Sequence, residues 1–334
     1  MRFTKAMIVS LAALAASLGA CGSGEPSSGE RNGEPFLRCA APIDDGQRET
    51  QWIPPLELRR DGHDLEIRGL ERGVVVIGLL AGIGEVRATT HENIELFLDK
   101  FKAAGAQLIA VAGGVGLAEK NVREVIEALA AAPVPVLVSP GAQESYDVFR
   151  SVISKLHGEH PQIVDMTKVR RVRLGRVTLL SLPGYHEPFY LEARGRGCSY
   201  EPQDLEKLAA LADDGRVNLL LSASPPRGKG QRAVDRGRGS VNIGDPELAA
   251  AMEKAGIRFG LFGHVYEAGG QATAADGETH RAPGVWHESL FVQAGAADSL
   301  PLTLVGGGRS VGMAHLVEIS GHRGRYRTLL AGPS

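Results

Sequence analysis

The strongest constraint on the fold is a pattern repeated between residues 74 and 144. An apolar run ("VVVIGLLAGIGE"), a helical stretch, a second run ("QLIAVAGGVG"), another helical stretch and a third run ("VPVLVSPGAQE") follow in order, and each run leads into glycine. Ile94, Leu96, Phe97, Leu98 and Phe101 recur at helical spacing, and Gly105 ends that helix. A second helix is predicted over 118–131. Strands separated by whole helices pair in parallel, because a tight turn joins only antiparallel neighbours. Continuously apolar strands have both faces covered. The pattern therefore predicts a parallel βαβαβ sheet under helices.

The second half changes character. After a helix near 144–157, "VRRVRLGRVTLLSLPG" reads as a hairpin about Gly175. A helix at 203–212 leads to the strand "VNLLLSASPP". A basic loop, a helix at 246–255 and the strand "IRFGLFGH" follow. Further strands are predicted near 290–293 and 312–319, with a hairpin partner at 325–330. There is no internal repeat. The reading is one α/β (α+β) domain of mixed sheets with flanking helices, from residue 51 to 334. The net charge of -2 argues against bulk binding to nucleic acid or an anionic surface. The 43 glycines are scattered among apolar segments and are read as tight strand-to-loop turns.

The N-terminus stands apart. "MRFTKAMIVSLAALAASLGAC" has Arg2 and Lys5, then an apolar run from Ala6 to Leu18, then small residues. The run is short for a membrane span. Leu18-Gly19-Ala20-Cys21 is similar to a bacterial lipobox, which implies a signal peptide over 1–20 and a lipid on Cys21. An ordinary secretory signal is the alternative. Residues 21–50 are then the lipidated cysteine, a polar tether and an irregular lead-in. This reading places the chain in the bacterial cell envelope, anchored through its lipid. The glycine after Cys21 favours the outer membrane, with the domain facing the periplasm or the cell surface. An oxidising compartment permits a bridge between Cys39 and Cys198; two separate buried thiols are the other possibility.

Ligands of α/β folds gather at the carboxyl ends of strands. Here those ends read "LLAGIGE" (79–85), "AGGVG" (112–116), "SPGAQE" (139–144), "LSASPPRG" (221–228) and "FGHVYEAGG" (262–270). In order and spacing, over about 70–320, the chain resembles the calcineurin-like metallophosphoesterases, which implies a layered β-sandwich flanked by helices. The resemblance also implies two metal ions that clamp phosphate and activate water. The residues that would hold them are almost all replaced. Where the family has Asp-x-His-Gly, this chain has Ala81-Gly82-Ile83-Gly84. The bridging aspartate of Gly-Asp is Gly114. Gly-Asn-His-Glu becomes Gly141-Ala142-Gln143-Glu144. The histidine of the serine-proline turn is Ala223. Of Gly-His-x-His only His264 is kept, with Tyr266 in the second place. The glycines Gly84, Gly113, Gly141 and Gly263 stay while the donors go.

These substitutions predict a degenerate member with no catalytic residues, no metal and no cofactor, which acts in binding or scaffolding at the envelope. Its partner would be an envelope protein or a small anionic ligand. The alternative is a phosphoesterase with an altered or mononuclear site for Mn, Fe or Zn, built on His264 with His186 and Glu187, or with Glu144. A purely structural lipoprotein is a third class. No G-x-S-x-G elbow supports a serine hydrolase, and "AVAGGVG" lacks the context of a nucleotide loop. The loop 227–238, with Arg227, Lys229, Arg232, Arg236 and Arg238, reads as a solvated loop or the wall of an anion pocket. Tyr185, His186, Glu144 and Arg227 are the residues expected around a pocket where the metals would have been.

Overall fold

The computed structural model describes residues 37–40, 45–70, 73–84, 86–193 and 196–332. The leader, Cys21 and the polar tether lie outside the described residues. Among the described residues no helix is long and apolar enough to cross a membrane.

Two sheets pack face to face. One has six strands in the order 323–330, 313–320, 75–80, 108–112, 136–139, 163–165. Its last four strands are parallel. The other has nine strands, and 177–182, 217–222, 259–262 and 290–293 pair in parallel at its centre. Ile77, Leu79, Leu108 and Leu137 of the first meet Val172, Leu179, Leu219 and Leu261 of the second in one buried cluster. Helices α1 (Ala88–Ala103), α2 (Glu119–Leu129) and α3 (Tyr146–Glu159) cover the outer face of the six-stranded sheet. Helices α4 (Pro202–Leu211) and α5 (Leu248–Lys254) cover the nine-stranded one. The result is a four-layer αββα sandwich.

The predicted strands lie where periodicity placed them because both their faces are apolar. Leu80, Ile109 and Val138 point to the helices while Leu79, Leu108 and Leu137 point to the other sheet. Helix α2 is held by Val122, Val125, Ile126 and Leu129, one stripe at 3- and 4-residue spacing. Gly105 has φ +69, the left-handed geometry expected of a helix stop. Gly175, with φ +56, turns the antiparallel hairpin of 171–174 and 177–182.

The lead-in differs from expectation. Described residues ahead of 51 already form strands, Leu37–Arg38 and the start of Arg48–Ile53. Arg48–Ile53 and Leu56–Asp61 are antiparallel strands that extend the nine-stranded sheet. Their charges hid them: Leu56 and Leu58 turn inward while Glu57 and Arg59 face outward, so "LELRRD" alternates without an apolar run. Upstream, Cys39 and Ala40 are buried. Cys39 and Cys198 are disulfide-bonded, with Cα atoms 5.4 Å apart. The buried Arg170 donates to the carbonyl of Ala40 and twice to that of Ser181, at 3.0 and 2.8 Å.

Candidate functional site

The strand ends of both sheets converge at one end of the sandwich. The amides of Gly82 and Ile83 donate to the carbonyls of Gly113 (3.1 Å) and Gly114 (2.7 Å), tying the first two loops. Gly263 N–H donates to Ser222 O at 3.2 Å within the nine-stranded sheet, and Ala297 N–H to Ala81 O at 2.9 Å joins the loops across the sheets. A Cβ on Gly141 would lie 2.7 Å from the Ala223 methyl, and one on Gly113 would lie 2.9 Å from Gly141 Cα. The backbones are therefore in contact where metal-binding side chains would have stood.

Tyr266 fills the rest of that space. A Cβ on Gly82 would lie 2.7 Å from its Cε1, and a Cβ on Gly114 would meet its hydroxyl and lie 2.6 Å from Gly82 Cα. Gly82 and Gly114 have φ of +59 and +78, a conformation that L side chains avoid. Aspartate at residue 114 would need both a changed backbone and a displaced tyrosine. Burial pushes the Tyr266 phenol well above its usual range, so it remains protonated.

His264 sits beside this ring on a left-handed turn, φ +63. Its imidazole packs 4.3 Å from the ring of Tyr185, 5.9 Å from Tyr190 and 6.2 Å from Tyr266, centroid to centroid. Burial first, and the neighbouring His186 second, lower its pKa to about 4. His186, also lowered mainly by burial, shares a hydrogen bond between Nδ1 and Ser224 Oγ at 2.7 Å. Both histidines are neutral at pH 7. Outside them, the side chain of Glu187 accepts from Phe189 N–H at 3.1 Å. This opens the short turn Pro188–Tyr190, on which Phe189 is exposed.

Glu144 is fully buried and serves the loops. Its two carboxylate oxygens accept from the amides of Val115 at 2.6 Å and Gly141 at 2.8 Å. Burial nonetheless raises its pKa, against the opposing pull of those amides. The carboxylate ties the second loop to the third, which the sequence reading, treating it as a pocket residue or metal ligand, did not find.

The other expected positions divide. Ala81, Ala142 and Ala223 are buried at the strand ends. Ile83 is a correction: it points into the helix-side cluster with Phe97 and Val122, away from the site. Gln143 is half-buried and donates weakly to Glu192 Oε1 at 3.4 Å. Tyr185 is fully buried in the aromatic cluster. Arg227 is exposed, with Nε donating to Gly244 O at 2.9 Å, so it stays at the rim. The basic loop is not simply solvated: buried Asp235 accepts from Asn242 Nδ2 at 2.7 Å and Gly244 N–H at 2.9 Å, pinning it. Tyr190 was not anticipated; only its place three residues after Glu187 pointed to it.

No family model matches the chain, and no curated protein matches it in sequence. Solved structures match in fold. One aligns over 77% of this chain and 99% of its own, at 11% identity and a TM-score of 0.55. TT1561 of Thermus thermophilus aligns over 77% of this chain and 99% of its own, at 15% identity and a TM-score of 0.50. A dimetal phosphatase from Danio rerio covers the same shares at 13% identity and a TM-score of 0.45. The first two share the fold of this chain.

The resemblance of the strand-end motifs to the metallophosphoesterases implies a metal pair, and the residues present do not fit one. Tyr266 and the glycine backbones take up the space, and Glu144 is turned to backbone amides. Among the described residues no group of three His, Cys, Asp or Glu side chains is placed to hold a metal ion. What the site offers instead is a set of neutral aromatic and imidazole groups over a rigid, glycine-built floor.

Proposed function

We propose that this chain is a catalytically inactive relative of the metallophosphoesterases that works by binding or scaffolding in the bacterial envelope, anchored through lipid on Cys21. The observation that carries the reading is the ring of Tyr266 lying against Gly82 and Gly114. A two-metal hydrolase needs carboxylate and imidazole donors there to hold its ions and make hydroxide at neutral pH. Here Gly114, in the place of the bridging aspartate, carries no donor, and its backbone conformation disfavours adding one. The lipobox-like segment supports the anchoring.

The competing reading, a mononuclear hydrolase, draws on the closeness of His186 and His264, whose rings both flank Tyr185 at 4.7 and 4.3 Å. Against it, His186 is engaged with Ser224, and Glu144 with backbone amides.

The test is metal stoichiometry with activity. The full-length chain is incubated with manganese, zinc and iron, desalted, and bound metal is counted by elemental analysis; p-nitrophenyl phosphate hydrolysis is measured alongside. The expected result is metal well below one ion per chain and no hydrolysis above background. One or two retained ions with hydrolysis abolished by His264→Ala would establish the enzyme instead.

A further inference from the structure

A second feature lies at the open edge of the sandwich, about two to three turns along α3 from Glu144. There the terminal strand of each sheet, Arg48–Ile53 and Ile163–Asp165, leaves a cavity of about 150 Å³. That is roughly the size of an apolar cavity that accepts benzene. Its floor is aliphatic: Leu58, Leu65, Ile153, Val164 and Val169, all buried. Its rim is polar and charged, with Glu49, Gln51, Arg60, His157, Asp165 and Lys168.

The charges on the rim are not equivalent. Glu49 lies 3.4 Å from His157 Nε2 and 3.9 Å from Arg60 Nη1. Arg60 also pairs with Asp45 at 2.7 Å. Asp165 Oδ1 accepts from both the amide (2.9 Å) and the hydroxyl (2.7 Å) of Thr167. His157 is further engaged by Gln51 Nε2 at 2.8 Å and by the Ile163 carbonyl at 2.7 Å. Lys168 differs. It is half-buried on the rim, and among the described residues no carboxylate lies within ion-pair distance of its ammonium. Its charge lowers the Asp45 pKa, but ranks behind burial and the contacts with Arg60 and Gln47.

We propose that this cavity binds a small monocarboxylic acid bearing one apolar group of about benzene size. The apolar group packs against the aliphatic floor, and the carboxylate pairs with Lys168. A single negative charge suits Lys168, which among the described residues has no carboxylate within ion-pair distance. A phosphate dianion is opposed by the nearby carboxylates of Glu49 and Asp165. An uncharged molecule would leave the ammonium as it is and gain only the floor. The proposal does not depend on the inactivity of the strand-end site.

The test is calorimetric titration of the full-length chain with phenylacetate and, separately, with phenylacetamide at pH 7. Phenylacetate is expected to bind saturably, one per chain, about tenfold or more tighter than the amide. Lys168→Met keeps the stem and removes the charge, and should bring phenylacetate to the level of the amide. Ser154 is exposed on α3 at the mouth, and Ser154→Trp should cover the cavity and abolish binding of both. No saturable binding of phenylacetate would overturn the proposal. So would equal affinity for acid and amide in the unchanged chain, or binding that persists in Ser154→Trp. Melting of each variant, compared with the unchanged chain, shows that it is folded.

Discussion

At the scale of single residues, the site is governed by what Tyr266 and Glu144 do to glycine backbones. The Tyr266 ring is the packing partner of Gly82 and Gly114, and its hydroxyl makes no hydrogen bond to a described residue. Tyr266→Phe should therefore change stability by less than about 0.5 kcal/mol, as substitutions away from such partners do. Tyr266→Ala should cost about 2–4 kcal/mol, because it opens a cavity that the loops cannot close. Urea unfolding of the three proteins reads the difference. Glu144 adds a pH signature. Its folded pKa is raised above the ordinary 4.5, so in the window above that value the folded chain binds more protons than the unfolded chain. Stability then falls as pH rises through the window. Glu144→Gln should remove that slope in urea midpoints measured at stepped pH. It should also cost about 1–3 kcal/mol, since an amide NH₂ would face a backbone donor.

Among the elements, the hairpin of Met313–Ser320 and Arg323–Leu330 carries a buried histidine that sets an acid limit. Neutral His315 donates from Nε2 to the Ala294 carbonyl at 3.0 Å, and Nδ1 lies 3.3 Å from Thr328 Oγ1. It thereby joins the hairpin to the strand-end loop after Leu290–Gln293. Burial lowers its pKa from 6.5 to about 4. The unfolded chain takes up the proton near 6.5 and the folded chain only near 4. The stabilisation is thus fully present above pH 6.5 and is lost as pH falls between these values, by about 3 kcal/mol. His315→Gln should flatten the acid limb of a melting-temperature profile between pH 4 and 6.5. His264 on its aromatic turn acts in the same direction. The helices and central strands were legible in the sequence because each has an apolar stripe or run of one period. The strands at 48–53 and 56–61 were not, because they are the last two strands of their sheet and charged residues alternate along them.

For the molecule as a whole, the disulfide between Cys39 and Cys198 closes a loop of 159 residues in sequence separation. It fastens the lead-in to the interior of the fold. Reduction, or replacement of both cysteines by serine, should lower stability by about 2–5 kcal/mol. Melting curves with and without reductant should show the loss in the unchanged chain and no further loss in the double variant. The sequence by itself determined the α/β alternation, the helix stop at Gly105, the hairpin at Gly175 and the replacement of most family metal ligands at the strand ends. These follow from local periodicity, backbone permissiveness and residue chemistry. Only the tertiary structure decided that Ile83 turns to the helices, that Glu144 ties the loops through their amides and that Tyr266 fills the space against Gly82 and Gly114. It also decided that the two terminal strands leave a cavity beside Lys168. Each depends on which distant segments meet and how their side chains share volume, and no local pattern in the chain encodes that.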